Sequence, residues 1–202
     1  MTNPTQIHLI RHGHVHNPQA IYYGRLPGFS LSDKGRRQAQ AAARTLRDKP
    51  LAALFSSPLL RATQTAIILA QQHGLSLQIT ELVNEVYTPF DGQPSSELEQ
   101  HGWDLYTGTE PPYEQPMDIL ARAQQFMTNV RQQYAGQHVA AVTHSDLIAF
   151  AILWALGQPI SPKHKRKLNQ NHLVPGSITT FIFQTTAQDD VPRVEFTKPG
   201  PT

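Results

Sequence analysis

Three short apolar runs in this chain stop abruptly at polar, chemistry-bearing residues. Ile7-His8-Leu9-Ile10 stops at Arg11-His12-Gly13. Ala52 to Ser56 leads into Ser57-Pro58-Leu59-Leu60-Arg61. His138 to Thr143 leads into His144-Ser145-Asp146. Short runs rich in isoleucine, leucine, valine and alanine read as buried strands. Ser57-Pro58, a capping hydroxyl followed by proline, reads as the start of a helix to about His73, with Gly74 as its stop. Ser145 can cap another helix, running to Leu156.

Other elements fill the pattern. Ser32 is a plausible N-cap for a helix to Asp48, with Ala39, Ala42, Ala43 and Leu46 on one face. Leu77 to Leu82 reads as a third strand and Met117 to Tyr134 as a helix closed by Gly136. Glu97-Leu98-Glu99 suggests a short helix inside the otherwise irregular Pro89 to Pro116 stretch. Ser177 to Phe183 and Val191 to Phe196 read as two closing strands, and the tail from Lys198 as frayed. Strands that alternate with helices predict an α/β fold: a mostly parallel central sheet with helices on both faces. No repeat or linker divides the 202 residues, so one domain over 1–202 is expected.

Composition narrows the function. A net charge of +2 gives no nucleic-acid or membrane footprint. The longest apolar run, Leu147 to Leu156, is about half of a membrane span. No basic and apolar leader stands at Met1 to Gln6, so a cytoplasmic protein is expected. The absence of cysteine excludes disulfide scaffolds and thiolate metal sites.

In a parallel sheet, the ends of the three strands share one edge, where open α/β sheets bind ligands. Arg11, His12, Arg61 and His144 would then converge beside helix N-termini, and such a set makes an anion site. Histidines 12, 14 and 16 alternate, and a continued strand would put them on one face as metal ligands. Gly13 and Pro18 argue that the strand has already ended. Lys163 to Lys167 reads as a solvated basic run.

The ordered set Arg11-His12-Gly13, Asn17, Leu31-Ser32-Asp33-Lys34-Gly35, Ser57-Pro58-Leu59-Leu60-Arg61-Ala62, Leu82-Val83-Asn84-Glu85 and Val142-Thr143-His144 resembles the histidine phosphatase (phosphoglycerate mutase-like) superfamily, branch 1. The resemblance covers most of the chain. It implies metal-independent hydrolysis of a small phosphomonoester through a phosphohistidine on His12, with no cofactor. Arg11, Arg61 and His144 would hold the phosphoryl group, and Glu85 would be the general acid. Asn17, Tyr23, Arg25 and Ser145 are expected to touch phosphate or substrate, with Tyr22 beside them at the mouth.

The chain departs from the family pattern where His14 replaces a common Glu and where Ser145-Asp146 replaces Gly-Gly. Asp146 therefore competes with Glu85 for the role of acid. Three alternatives stand beside hydrolysis: phosphoglycerate mutase-type transfer, a metallohydrolase built on the His12/His14/His16 run, and a phospho-ligand binding domain without turnover. The sequence leaves room for a homodimer and does not name the phosphomonoester.

Overall fold

The computed structural model describes residues 3–187 and 189–198; most of the tail expected to fray lies outside them. One sheet of six strands organises the chain. The strands are β1 (Thr5–Arg11), β2 (Leu51–Ser56), β3 (Leu77–Ile79), β4 (His138–Thr143), β5 (Ile178–Phe183) and β6 (Arg193–Thr197). Their order is β3-β2-β4-β1-β5-β6. The first four are mutually parallel, and β5 and β6 close the sheet antiparallel.

The period of two along each strand sorts the side chains onto two faces. Ile10, Leu54, Ala140 and Val142 meet Ala42, Ala43 and Leu46 of α1 (Asp33–Leu46) and Ala62, Ala66 and Leu69 of α2 (Leu60–His73). Ile7, Leu9, Val139, Ala141, Phe181 and Phe183 meet the opposite layer. That layer comprises α4 (Pro116–Gln133), through Ile119, Phe126 and Met127, and α5 (Ser145–Ala155), whose Leu147 to Leu153 are all buried. The short α3 (Ser95–Gln100) and α6 (Pro162–Asn171) lie in the connections. Among the described residues, no helix is long and apolar enough to cross a membrane.

The expected α/β architecture is therefore present, with local corrections. The third strand stops at Ile79, because the Thr80 hydroxyl accepts the Leu82 amide and winds Glu81–Val83 into a 3-10 turn. Helix α2 begins at Leu60, and Ser57 does not cap it in the expected way. Ser145 is not a cap either: His144 holds that position, and Ser145 is the first helical residue. The basic run lies on α6, whose start carries a capping serine and a proline, Ser161-Pro162.

His8 is 1% exposed on the α1/α2 side of β1. One ring nitrogen lies 2.9 Å from Thr180 Oγ1 and the other 3.1 Å from His138 Nδ1. Burial, with His138 and Lys49 nearby, lowers its pKa to about 3 from 6.5. The folded state thus keeps His8 neutral where the unfolded chain binds a proton. Stability falls as pH drops below 6.5 and levels off near 3. At pH 4.5 the loss from this one group is about 2–3 kcal/mol. Urea unfolding at pH 7 and 4.5 should show a smaller pH difference in His8→Gln than in the unaltered chain; equal differences would exclude His8 as a source.

Candidate active site

Because β4 lies between β2 and β1, the C-terminal ends of all three strands are adjacent. The strand register pairs Arg11 with Thr143 and Ser56 with Val142. The next residues, His12, Ser57 and His144, therefore meet above the sheet edge. The His12 and His144 rings lie 5.2 Å apart.

His12 is held in one tautomer. Its Nδ1 lies 2.8 Å from the Gly13 carbonyl, which can only accept, so Nδ1 carries the hydrogen and Nε2 keeps the lone pair. Burial, with Arg61, His144 and Arg11 nearby, holds this imidazole well below its ordinary pKa. It is a neutral base at pH 7. Arg61, 1% exposed, ties the group together. Its Nε donates to His12 Nε2 at 3.2 Å. One terminal nitrogen reaches the Gly24 carbonyl at 2.8 Å, and Glu85 Oε2 and His144 Nδ1 at 3.3 Å each. The Tyr23 ring covers the guanidinium at 4.7 Å.

Glu85 completes the set. Burial opposes its charge, but His144 and the permanently charged Arg61 outweigh that and hold the carboxyl well below the usual range. Burial brings His144 down to about 4, against the pull of Glu85. Ser57 gives its proton to Asn84 Oδ1 at 3.1 Å and lies 2.8 Å from His144 Nε2, so that nitrogen carries the hydrogen. The other nitrogen, Nδ1, faces Glu85 Oε2 at 3.2 Å, and a proton added to the pair would bridge them. These contacts explain why Ser57 does not cap α2: its hydroxyl serves the site.

The cavity in front of these groups has a volume of about 420 Å³, and Arg11, His12, Tyr23, Glu85, Ser145 and Asp146 lie on its wall. Arg11 bonds the Leu173 carbonyl, and its Nε–H is buried without a partner among the described residues. Arg61 and His144 stand behind the wall. Two expected substrate contacts lie elsewhere. Asn17 directs its amide to the Ile21 main chain, at 2.8 and 3.4 Å, and so braces the loop. Arg25 donates to the Glu85 carbonyl and to Glu114 Oε2, both at 2.9 Å. It therefore steadies the backbone of Glu85.

The sequence reading missed Glu114 and Arg122, which complete this brace. Arg122 binds Glu114 at 2.7 Å and donates to the carbonyls of Asn84 and Glu85 at 2.7 and 3.2 Å. Nothing local marks these residues; only the fold brings positions 25, 85, 114 and 122 together.

The His12/His14/His16 metal reading fails geometrically. His12 is buried, whereas His14 and His16 are exposed, and His14 Nδ1 lies 2.8 Å from Ser32 Oγ. The strand ends at Arg11, so its alternation does not set His14 and His16 beside His12. Among the described residues, the one cluster with metal-ligand geometry is His12, Glu85 and His144. Arg61 is bonded to all three, and its fixed positive charge opposes a cation there. Asp146 is also distinct from Glu85: Lys165 Nζ at 2.7 Å and the Tyr106 hydroxyl at 2.5 Å both donate to its Oδ2. In these two contacts Asp146 acts as an acceptor.

Close backbone contact seats α1 against the His12 turn. A Cβ on Gly13 would lie 2.4 Å from the Gly35 carbonyl oxygen, and one on Gly35 would lie 2.0 Å from the His14 oxygen. Gly35→Ala should therefore push α1 off the turn, costing about 2–4 kcal/mol in urea unfolding. Wild-type stability in this variant would refute the contact.

Comparison with known proteins agrees with this geometry. The family model of the histidine phosphatase superfamily (branch 1) matches residues 7–186. Uncharacterized protein Rv0525 of Mycobacterium tuberculosis (strain H37Rv) is 37% identical over 198 residues, 95% of this chain and 96% of that protein. Phosphoserine phosphatase 1 of Hydrogenobacter thermophilus is 28% identical over 147 residues, 68% of this chain and 69% of that protein. The solved structure of mycobacterial glucosyl-3-phosphoglycerate phosphatase superposes with a TM-score of 0.81 at 21% identity, over 98% of this chain and all of that one.

Proposed function

The chain belongs to branch 1 of the histidine phosphatase superfamily, and we propose that it hydrolyses small phosphomonoesters through a phosphohistidine on His12. The observation that carries this reading is the state of His12: a buried, neutral imidazole with one nitrogen hydrogen-bonded to Gly13 and the other facing Arg61. A nucleophile needs that unprotonated nitrogen, whose lone pair Arg61 Nε gives up when it turns to the phosphoryl oxygens, and phosphoryl transfer needs positive charge around it more than any further covalent chemistry.

In the first step Nε2 attacks phosphorus, the P–N bond forms and the P–O bond to the leaving alcohol breaks. Arg61 can give the incoming oxygens the hydrogen bonds it now gives to Glu85 and His144. Arg11 brings an unpartnered N–H to the same cavity. A phosphate dianion next to Glu85 raises its proton affinity, so Glu85 takes up a proton from solvent as the substrate binds and passes it to the alcohol oxygen. In the second step Glu85 takes a proton from water as its oxygen attacks phosphorus, and the P–N bond breaks to return neutral His12 and phosphate.

Turnover of p-nitrophenyl phosphate should resist EDTA. It should fall roughly 10³-fold or more in His12→Ala, by analogy with loss of other covalent nucleophiles. Turnover that survives this substitution would overturn the phosphohistidine. Glu85→Gln should slow an alkyl phosphate by about 10²- to 10⁴-fold and p-nitrophenyl phosphate much less, since nitrophenolate leaves without a proton. The same leaving-group dependence in Asp146→Asn and not in Glu85→Gln would move the acid to Asp146.

A further inference from the structure

Beyond the phosphate end, the cavity wall is built from groups the reaction does not use. Asp146 is 5% exposed and Lys165 1% exposed. Both hydrogen bonds to Asp146 fall on Oδ2, and Oδ1 takes none among the described residues. Lys165 donates to Asp146 and, at 3.0 Å, to the Trp103 carbonyl, so one of its three ammonium hydrogens remains. Asn169, on the same wall, has its Oδ1 buried without a partner among the described residues. The wall thus offers two unfilled acceptors and one donor close together.

Trp103 adds a backbone observation. Its φ is +58°, in the left-handed region that a bulky residue rarely adopts. Its N–H donates to the Leu98 carbonyl at 2.8 Å, and its carbonyl accepts from Lys165. The chain therefore bears strain that places this large ring on the cavity wall with 36% of the residue exposed.

We propose that this end of the cavity is a subsite for a polyhydroxylated leaving group, a sugar or cyclitol, with Asp146, Lys165 and Asn169 bonding its hydroxyls and Trp103 lying against its ring. The proposal rests on the phosphatase reading and deepens it. A hydroxyl both donates and accepts, which matches adjacent acceptors and donors of this kind. Asp146 and Glu99 are balanced on this wall by Lys165 and Arg166, so neither a second anion nor an ammonium group on the leaving group meets a net opposite charge. An apolar alcohol would leave Asp146 Oδ1 and Asn169 Oδ1 without partners, which costs affinity. The electron-rich face of the indole suits the C–H face of a sugar ring.

The test compares kcat/KM for glucose 6-phosphate, myo-inositol 1-phosphate, 3-phosphoglycerate and phenyl phosphate, with p-nitrophenyl phosphate as the readout of the chemistry itself. At least one of the two polyol esters should exceed both the anionic and the apolar ester by roughly 10-fold or more. Asn169→Leu and Trp103→Gly, the latter compatible with the left-handed backbone, should each lower the ratio of the preferred polyol ester to p-nitrophenyl phosphate by roughly 10-fold, about one good hydrogen bond's worth. A preference for 3-phosphoglycerate or phenyl phosphate would overturn the subsite and leave the phosphatase standing. Unchanged ratios in both variants would overturn it in the same way. Absence of p-nitrophenyl phosphate turnover in the unaltered protein would sink the phosphatase reading and this inference together.

Discussion

A guanidinium that is 1% exposed is costly to bury unless every direction around it is answered. Arg61 meets that constraint with His12, Gly24, Glu85 and His144, and with the Tyr23 ring above. Those partners come from β1, the loop after it, the turn after β3 and the end of β4. The cation therefore does more than await an anion. It fixes the relative positions of His12 and Glu85, and, after burial, it helps keep His12 neutral by raising the cost of a second positive charge beside it.

The sheet makes this possible by its order. With β4 inserted between β1 and β2, three chain segments far apart in sequence finish side by side. Their apolar alternation fixes the register, since a slip of one residue would turn core side chains outward. Glu85 is the exception, because it does not directly follow a strand end. Its position depends on Arg25, Glu114 and Arg122 gripping its backbone and that of Asn84. Glu85 is thus placed by charged braces, whereas His12 is placed by the sheet.

That division explains what could be read in advance. β1, α1 with its Ser32 cap, and the convergence of Arg11, His12, Arg61 and His144 follow from local patterns: apolar runs, caps and strand ends. Ser57 misled because its capping character is local, while Asn84 and His144 claim its hydroxyl from a distance. Gly13 and Pro18 argue locally against His14 and His16 as ligands beside His12, and the exposure of both agrees. Arg25 was assigned to substrate since a lone arginine near a mouth gives no hint of Glu114. Lys165 was hidden in a basic run, for a polar helix carries no apolar stripe to show which cation turns inward.

One small contact near the start of the chain reaches further than its size suggests. The Gly13 carbonyl accepts the Nδ1 hydrogen of His12 and leaves a single nitrogen open. A phosphoryl group carried by this ring would be attached at Nε2 and never at Nδ1. The two isomers of phosphohistidine differ in lability and in spectroscopic signature. The choice of isomer, and with it the lifetime such a covalent state would have, would be made by the backbone before any substrate arrives.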